Sequence, residues 1–379
     1  MLYQENPQNL KRTPYYIYHK DILCQTLETL LQSLPPDRKY VVHYAVKAND
    51  NIEVLKCIAS YGLGADCVSG GEIEKALKAG FEAGKIAYAG VGKRDDEIEL
   101  AVEKQIFCLN AESEQEIDVI SEIAGKIGLT APVAIRINPN IDAHTHKNIT
   151  TGTEENKFGI PIDEAVRVAQ RIINDPHLRF IGVHFHIGSQ ITQYSPFIEL
   201  CNTANKLRQE FADRNIKLGM IDMGGGLGID YENPEKNTIP DFSGYFSTFA
   251  NHTSKDIELH FELGRSIVAQ MGELITRVLF TKTTPHKYFA IVDAGFTDLI
   301  RPALYGAYHK IVNLSSEERT LGKCDIVGPI CESSDVFAKD REIPLPQRGD
   351  ILAIRSAGAY GEVMASTYNA RPLIKGYME

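Results

Sequence analysis

The sequence predicts an α/β protein: a (β/α)8 TIM barrel plus a C-terminal β-rich, barrel-like domain that also takes the N-terminal strand. Three observations predict it. Eight short apolar segments with strand character alternate with amphipathic stretches between residues 40 and 262. Polar and glycine residues gather at the carboxyl ends of those segments, the end at which such a barrel carries its chemistry. After Gly264 the rhythm changes to strands separated by proline, glycine and charged turns. A doubly wound open sheet is the alternative, and the count of eight argues against it.

In chain order, Thr13–Tyr18 reads as a short strand. Leu23, Leu27, Leu30, Leu31 and Leu34 then recur at helical spacing until Pro35-Pro36 ends the helix. The barrel strands are expected at 40–46, 63–68, 85–89, 106–109, 132–138, 178–186, 218–223 and 257–262. Helical stretches between them include Ile52–Tyr61, Gly71–Ala79, Glu97–Glu103, Ser113–Ile127, Asp163–Ile173 and Phe197–Arg214. The polar loop 139–159 is placed as a lid over the mouth. Beyond the barrel, strands are expected at 271–280, 287–293, 324–328 and 350–355, without helices. The domains are therefore drawn as 21–268 for the barrel, and 1–20 with 269–379 for the β-rich part.

Composition removes whole classes of function. A net charge of −10 argues against broad nucleic-acid or anionic-membrane binding. The polar stretch Met1–Thr13 has no signal-peptide core, and no apolar run reaches the ~18 residues of a spanning helix. Seven cysteines, odd in number and without a C-x-x-C pair, fit reduced thiols in a cytoplasm better than a disulfide framework or a zinc site.

The residues at strand ends carry the chemistry. Lys47 ends strand one, where a lysine either reaches back to water or, partly desolvated, forms a Schiff base with a carbonyl cofactor. Asp66 closes strand two, and Arg136 and Asn138 close strand five. In His184-Phe185-His186 the two imidazoles share one strand face. They are candidate metal ligands, but no carboxylate or cysteine cluster beside them completes a site; one ring stacked on a flat cofactor, with the other imidazole satisfied in the core, needs fewer assumptions. Ser189 is placed to donate to a phosphate. Gly224-Gly225-Gly226-Leu227-Gly228 is either a tight turn or a row of N–H groups that cradles a phosphate, and it lacks the dinucleotide fingerprint. Glu262 ends strand eight, either salt-bridged to Arg265 or holding a proton on the ring nitrogen of a pyridine cofactor. In the β-rich part, Arg301 suits a carboxylate, Cys331 is a proton donor or packing, and Glu332 suits a substrate ammonium.

Together, Tyr44-Ala45-Val46-Lys47-Ala48-Asn49, Gly64-Ala65-Asp66, Ser69-Gly70-Gly71-Glu72, Asn156-Lys157-Phe158-Gly159, His186-Ile187-Gly188-Ser189-Gln190, Gly224-Gly225-Gly226, Arg301-Pro302-Ala303-Leu304-Tyr305, Cys331-Glu332-Ser333 and Gly358-Ala359-Tyr360 resemble the fold-type III pyridoxal-phosphate decarboxylases. The likeness runs from about Thr13 to Arg371. It implies pyridoxal 5'-phosphate as cofactor, with Lys47 as its Schiff-base lysine and His186 stacked on its ring. It implies Ser189, Gly225 and Gly226 at the phosphate, Glu262 at the ring nitrogen, and Asp66, Gly264, Arg265 and Tyr360 among the cofactor contacts. Arg265, Arg301, Tyr305, Glu332 and Tyr360 would hold an amino-acid substrate. Cys331 would be the catalytic proton donor, reaching with Glu332 into the partner's site, so that a homodimer with shared sites is implied. The implied reaction removes CO2 from the D-centre of meso-2,6-diaminopimelate to give L-lysine. Ornithine, arginine and carboxynorspermidine decarboxylases are the rival readings, and a non-catalytic paralogue is a further one. One departure is Glu262-Leu263-Gly264-Arg265, where the family usually has proline at the second position.

Overall fold

The computed structural model describes residues 12–141, 157–316 and 318–379. Most of the expected lid, and Asn156 with it, lies outside these residues, as does most of the stretch Met1–Thr13. The chain forms two compact units: one of Cys24–Ile229 with Ile239–Ile267, the other of the residues up to Leu23, Asp230–Thr238 and Val268–Glu379.

The first unit is the barrel. After β1 (Tyr15–Tyr18), which belongs to the second unit, come β2 (Lys39–Ala45), β3 (Gly64–Cys67), β4 (Ile86–Tyr88), β5 (Cys108–Ala111), β6 (Ala131–Asn138), a two-residue β7 (Ile160–Pro161), β8 (Leu178–His184), β9 (Met220–Asp222) and β10 (Glu258–Leu263). The strands pair in parallel in the order β5-β4-β3-β2-β10-β9-β8-β6, and β5 pairs with β6 to close the ring. The eight expected strands are therefore the eight staves. Helices return the chain between them as the apolar spacing requires: α2 (Ile52–Ser60) is capped by Asn51, whose side chain accepts from Glu53 N–H, and α3 (Gly70–Ala79) by Ser69. Between β9 and β10, α8 (Phe242–His252) packs Phe246 and Phe249 against Phe261 of β10, with ring centroids 5.2 and 5.0 Å apart.

Because side chains alternate along each strand, every second residue points into the barrel. Midway, Ala87, Cys108, Ala134, Ile181 and Met220 form an apolar plug with Phe107 against it. Below the plug, the buried His43 and His260 join at 2.8 Å, His43 reaches the Lys85 carbonyl, and His260 reaches Glu258. Above the plug the barrel is again polar, and that layer is the site.

The second unit is a mixed sheet in the order β13-β16-β11-β12-β14-β15. Its strands are β11 (Gly272–Thr283), β12 (Tyr288–Val292), β13 (Ile311–Asn313), β14 (Leu321–Val327), β15 (Val336–Pro344), β16 (Ile351–Ile354) and β17 (Gly376–Met378). The N-terminal strand joins it: β1 runs antiparallel to β11, Tyr15 opposite Ile275 and Tyr18 opposite Gly272, and pairs in parallel with β17. Three strands here were not expected. β13 and β17 are three residues each, and β15 carries the charged run Lys339-Asp340-Arg341-Glu342 that hides its alternation. The expectation of no helix also fails, since Arg301–Tyr305 form a short one, started by Pro302 near its N-terminus and stopped by Gly306 in the left-handed region.

Candidate active site

Lys47 sits on the one-turn helix Val46–Ala48 directly after β2. Tyr44 Oη donates to the Asn49 carbonyl at 2.8 Å and closes that turn. Gly264 lies against its other side, where a Cβ would come within 3.0 Å of both the Ala45 and Ala48 methyls. Lys47 Nζ pairs with Asp66 Oδ2 at 2.7 Å; the lysine is about one-third exposed and the aspartate fully buried. Burial raises the Asp66 pKa, and the neighbouring Glu262 charge adds to this while Lys47 opposes it. Asp66 Oδ1 is buried with no hydrogen-bond partner among the described residues.

Glu262 faces the same interior from β10. Its Oε2 meets His184 Nε2 at 3.1 Å, and its Oε1 accepts from Asn110 Nδ2 at 3.4 Å. Burial works to raise its pKa, but the His184 charge and hydrogen bond, with Lys47 behind them, hold it well below the usual carboxylate range. The alternative of a Glu262–Arg265 salt bridge is not realised: Arg265 instead donates to Ser189 Oγ at 3.0 Å. The second nitrogen of His184, Nδ1, is buried without a partner among the described residues.

Asp222, at the end of β9, completes this layer. Its Oδ1 accepts from Gly224 N–H at 2.8 Å. Burial first, then the Glu262 charge, push its pKa well above the usual range. The donor atoms of His184, Asp222 and Glu262 lie within 4.8 Å of one another. A carboxylate cluster thus does stand beside His184, contrary to the expectation from sequence; the His184–Glu262 hydrogen bond and the Gly224 N–H on Asp222 already engage part of it.

His186, two residues past β8, is mostly buried; its Nδ1 accepts from Gly225 N–H at 3.3 Å. Burial, then the Arg136 and Lys47 cations, push its pKa down to about 3, which makes it a neutral ring. The glycine turn fits closely against β10: Glu262 N–H donates to the Gly224 carbonyl at 2.9 Å, and a Cβ on Gly225 would stand 2.0 Å from the Glu262 carbonyl oxygen. Arg136 pairs with the buried Glu112 at 2.7 Å and lies 4.5 Å from the centre of the Phe158 ring. Glu112 also accepts from Gly159 N–H at 2.9 Å, which anchors the described end of the expected lid.

The remaining expected residues lie in the second unit. Arg301 is buried, its guanidinium 2.8 Å from His309 Nε2 and 5.0 Å from the centre of the Tyr231 ring. His309 Nδ1 bonds the Arg355 carbonyl at 2.9 Å, so its other nitrogen is left to accept from Arg301. Tyr305 ends the short helix and is partly exposed. Tyr360 holds φ at +55°, a left-handed conformation unusual for a tyrosine. Cys331 and Glu332 are exposed on a loop that buried Asp335 ties down through Ile330 N–H and Phe296 N–H, both at 2.7 Å. Cys331 is the one exposed cysteine; five others are buried and Cys24 is partly so.

Lys47, Asp66, His186, Ser189, Gly225, Gly226, Glu262, Gly264 and Arg265 thus belong to the barrel unit, and Arg301, Tyr305, Cys331, Glu332 and Tyr360 to the other. The sequence reading missed Asp222 and Asn110, and took His184 as a satisfied core ring. Strand alternation was the available signal: Asn110 lies two residues from Cys108 and Asp222 two from Met220, on the face those core residues turn inward.

A parallel barrel with a lysine–aspartate pair, a buried anion and a glycine turn at one mouth defines a class. Residues 21–269 match the family described as "Pyridoxal-dependent decarboxylase, pyridoxal binding domain", and the chain belongs to that family. Within it, the chain is similar over nearly its full length to diaminopimelate decarboxylases. That of Bacteroides thetaiotaomicron is 53% identical over 97% of this chain and 95% of its own. The crystal structure of the Helicobacter pylori enzyme, complexed with L-lysine, superposes with a TM-score of 0.92 at 43% identity, over 97% of this chain and 92% of that one. The enzyme of M. jannaschii, in co-complex with L-lysine, gives 0.91 at 35% identity, over 97% and 87%.

Proposed function

We infer that this protein is a pyridoxal 5'-phosphate-dependent carboxy-lyase that decarboxylates meso-2,6-diaminopimelate to L-lysine and CO2, the last step of lysine biosynthesis. The observation that carries the reading is the meeting of Lys47 and Glu262 in one polar layer, with Lys47 close enough to help hold the Glu262 anion.

The residues present fit that cofactor. Two of the buried atoms without a hydrogen-bond partner among the described residues, Asp66 Oδ1 and His184 Nδ1, mark a polar interior that expects more than the protein supplies. The turn at Gly225 leaves no room for a side chain, and in the same unit Arg265 donates to Ser189. In our reading Lys47 is the point of covalent attachment, oriented by Asp66. Neutral His186 offers a flat face to the ring, and Ser189, Gly225 and Gly226 hold the phosphate, with Gly264 and Arg265 among the contacts. Glu262, kept anionic, would accept a hydrogen bond from the protonated ring nitrogen. When bound, pyridoxal phosphate supplies an electron sink for the pair of electrons released as CO2 leaves.

For the substrate we assign Arg301, Arg265 and Tyr305 to the distal carboxylate end and Tyr360 to cofactor and substrate together. The strained φ of Tyr360 is the kind of backbone cost that persists where a side chain has a task. Cys331 is the donor of the proton that ends on the substrate carbon, and Glu332 binds the ammonium. Both are exposed in the single chain, which suits service in a partner's site within a homodimer. Among the described residues no helix is long and apolar enough to cross a membrane, and seven free cysteines suit a reducing cytoplasm.

The test is a substrate panel with cofactor-loaded protein: meso-diaminopimelate, ornithine, arginine and carboxynorspermidine. Lysine and CO2 from the first alone are expected, and turnover of another in preference would overturn the substrate assignment. Borohydride reduction followed by peptide mapping should place the cofactor's mass on the peptide holding Lys47, and Lys47→Ala should carry none.

A further inference from the structure

The layer around Glu262 holds three buried carboxyl groups, Asp66, Asp222 and Glu262, and their cations can be counted. Lys47 pairs with Asp66 and His184 with Glu262. His186 is not available, because its Nδ1 accepts a hydrogen bond from the Gly225 peptide N–H. From β10, His260 commits both ring nitrogens away from this layer, one to His43 and one to Glu258. From β5, the Cys108 thiol is turned to Asn110, and Tyr245 of α8 is an un-ionised phenol. Asp222 is left with one peptide N–H, from Gly224, and no cation among the described residues. An uncompensated carboxylate fully inside a barrel and beside the Glu262 charge is the arrangement that takes up a proton.

Resting on the cofactor reading above, we propose that Asp222 is a positioning residue kept as the neutral acid, its proton directed at Glu262, so that Glu262 remains the acceptor of the ring-nitrogen proton instead of removing it. The Asp222 and Glu262 carboxyl groups lie with oxygens within 4.8 Å of each other, which gives Asp222 this reach. A donor on one side of Glu262 from His184 and on the other from Asp222 makes the carboxylate a weaker base. Its proton then stays on the ring, where it makes the electron sink deep. Asp222 thus acts through Glu262 and touches no reacting atom.

Asparagine has the shape of protonated aspartate, with a carbonyl to accept from Gly224 and an amide to donate to Glu262. We therefore expect Asp222→Asn to retain near wild-type kcat and the same 15N shift of ring-labelled pyridoxal phosphate. Asp222→Leu should move that shift toward the unprotonated ring and lower kcat by roughly 10- to 100-fold, the loss of one hydrogen bond to a charged group. Two measurements need no cofactor. Infrared spectra of the apoprotein at pH 7 should show a protonated-carboxyl stretch that Asp222→Asn removes. The apoprotein Tm should rise in Asp222→Asn at pH 7, with the gain closing as pH falls toward the ordinary aspartate range of about 4. The sign follows from a folded-state proton affinity above the unfolded one, which penalises folding at neutral pH and not in acid. No such stretch, or a lower Tm in Asp222→Asn at pH 7, overturns the proposal. So does failure of that variant to fold, since a neutral isostere is what the site is said to require. If the substrate panel fails instead, the apoprotein results still decide the protonation of Asp222.

Discussion

Gly225→Ala is the sharpest perturbation this site offers, because the obstacle is backbone and cannot swing aside. The new methyl would stand 2.0 Å from the Glu262 carbonyl oxygen and 3.1 Å from its carbon, where ordinary contact begins at 3.4 Å. The glycine turn and β10 must therefore part by more than an ångström. The hydrogen bond from Glu262 N–H to the Gly224 carbonyl lies across that gap, and Gly225 N–H to His186 Nδ1 is strained as the turn moves. Overpacking of this kind costs about 1–3 kcal/mol, which for a barrel of this size lowers Tm by roughly 2–10 °C. The same shift would displace both the phosphate-facing turn and the carboxylate expected at the ring nitrogen, and an ångström of misplacement costs on the order of 10²-fold in rate. The chain has no tryptophan, so cofactor affinity is best followed by the cofactor's own absorbance, alongside apoprotein melting. Gly84→Ala is the control: nothing lies within 4 Å of a Cβ there, and it should be neutral or stabilise by about 0.4–1 kcal/mol through the unfolded chain. Wild-type affinity and Tm in Gly225→Ala would refute the reasoning, since the backbone would have to have absorbed the methyl without cost.

Three further expectations follow from the same geometry. Cys331→Ala should lower kcat by roughly 10²–10⁴ if the thiol is the proton donor, and mixing it with Lys47→Ala should restore part of the activity through hybrid dimers; no recovery would argue against shared sites. Arg301→Lys keeps the charge but loses the planar fork that meets both His309 and the Tyr231 face, so KM for diaminopimelate should rise by roughly 10- to 100-fold with kcat less affected, and an unchanged KM would remove Arg301 from the substrate site. Burial, with His260 second, lowers the His43 pKa to about 3. A depressed folded pKa means stability that is present above the unfolded value near 6.5 and lost as pH falls from there toward 3, at up to about 1.4 kcal/mol per pH unit. Urea unfolding of the apoprotein at pH 7 and pH 5 should show that loss, and His43→Gln, which can bond both the Lys85 carbonyl and His260, should flatten it; an equal slope in the variant would clear His43.

How much of this could be read in advance depended on whether one strand was enough to see it. The eight staves were readable because each is a local apolar run: Tyr40-Val41-Val42 needs no partner to declare itself a strand. Lys47, Asp66, Glu262 and the glycine turn were readable for a related reason, since a polar residue at the end of such a run stands out against it. β15 was missed because its exposed half, Lys339 to Glu342, obeys solvent and not the sheet. His309 was missed because its task depends on Arg301, which lies in a different short element, and on a carbonyl at Arg355. Asp222 is the instructive case. Before a run of glycines, an aspartate has the local appearance of a turn former, and its charge state is a sum over β3, β8 and β10 that only the closed barrel performs. A strand pattern can say that a carboxyl group faces inward. Whether that group arrives with a cation or without one is decided by neighbours from distant stretches of chain, and it is this, more than the identity of the residue, that sets what the carboxyl can do to Glu262.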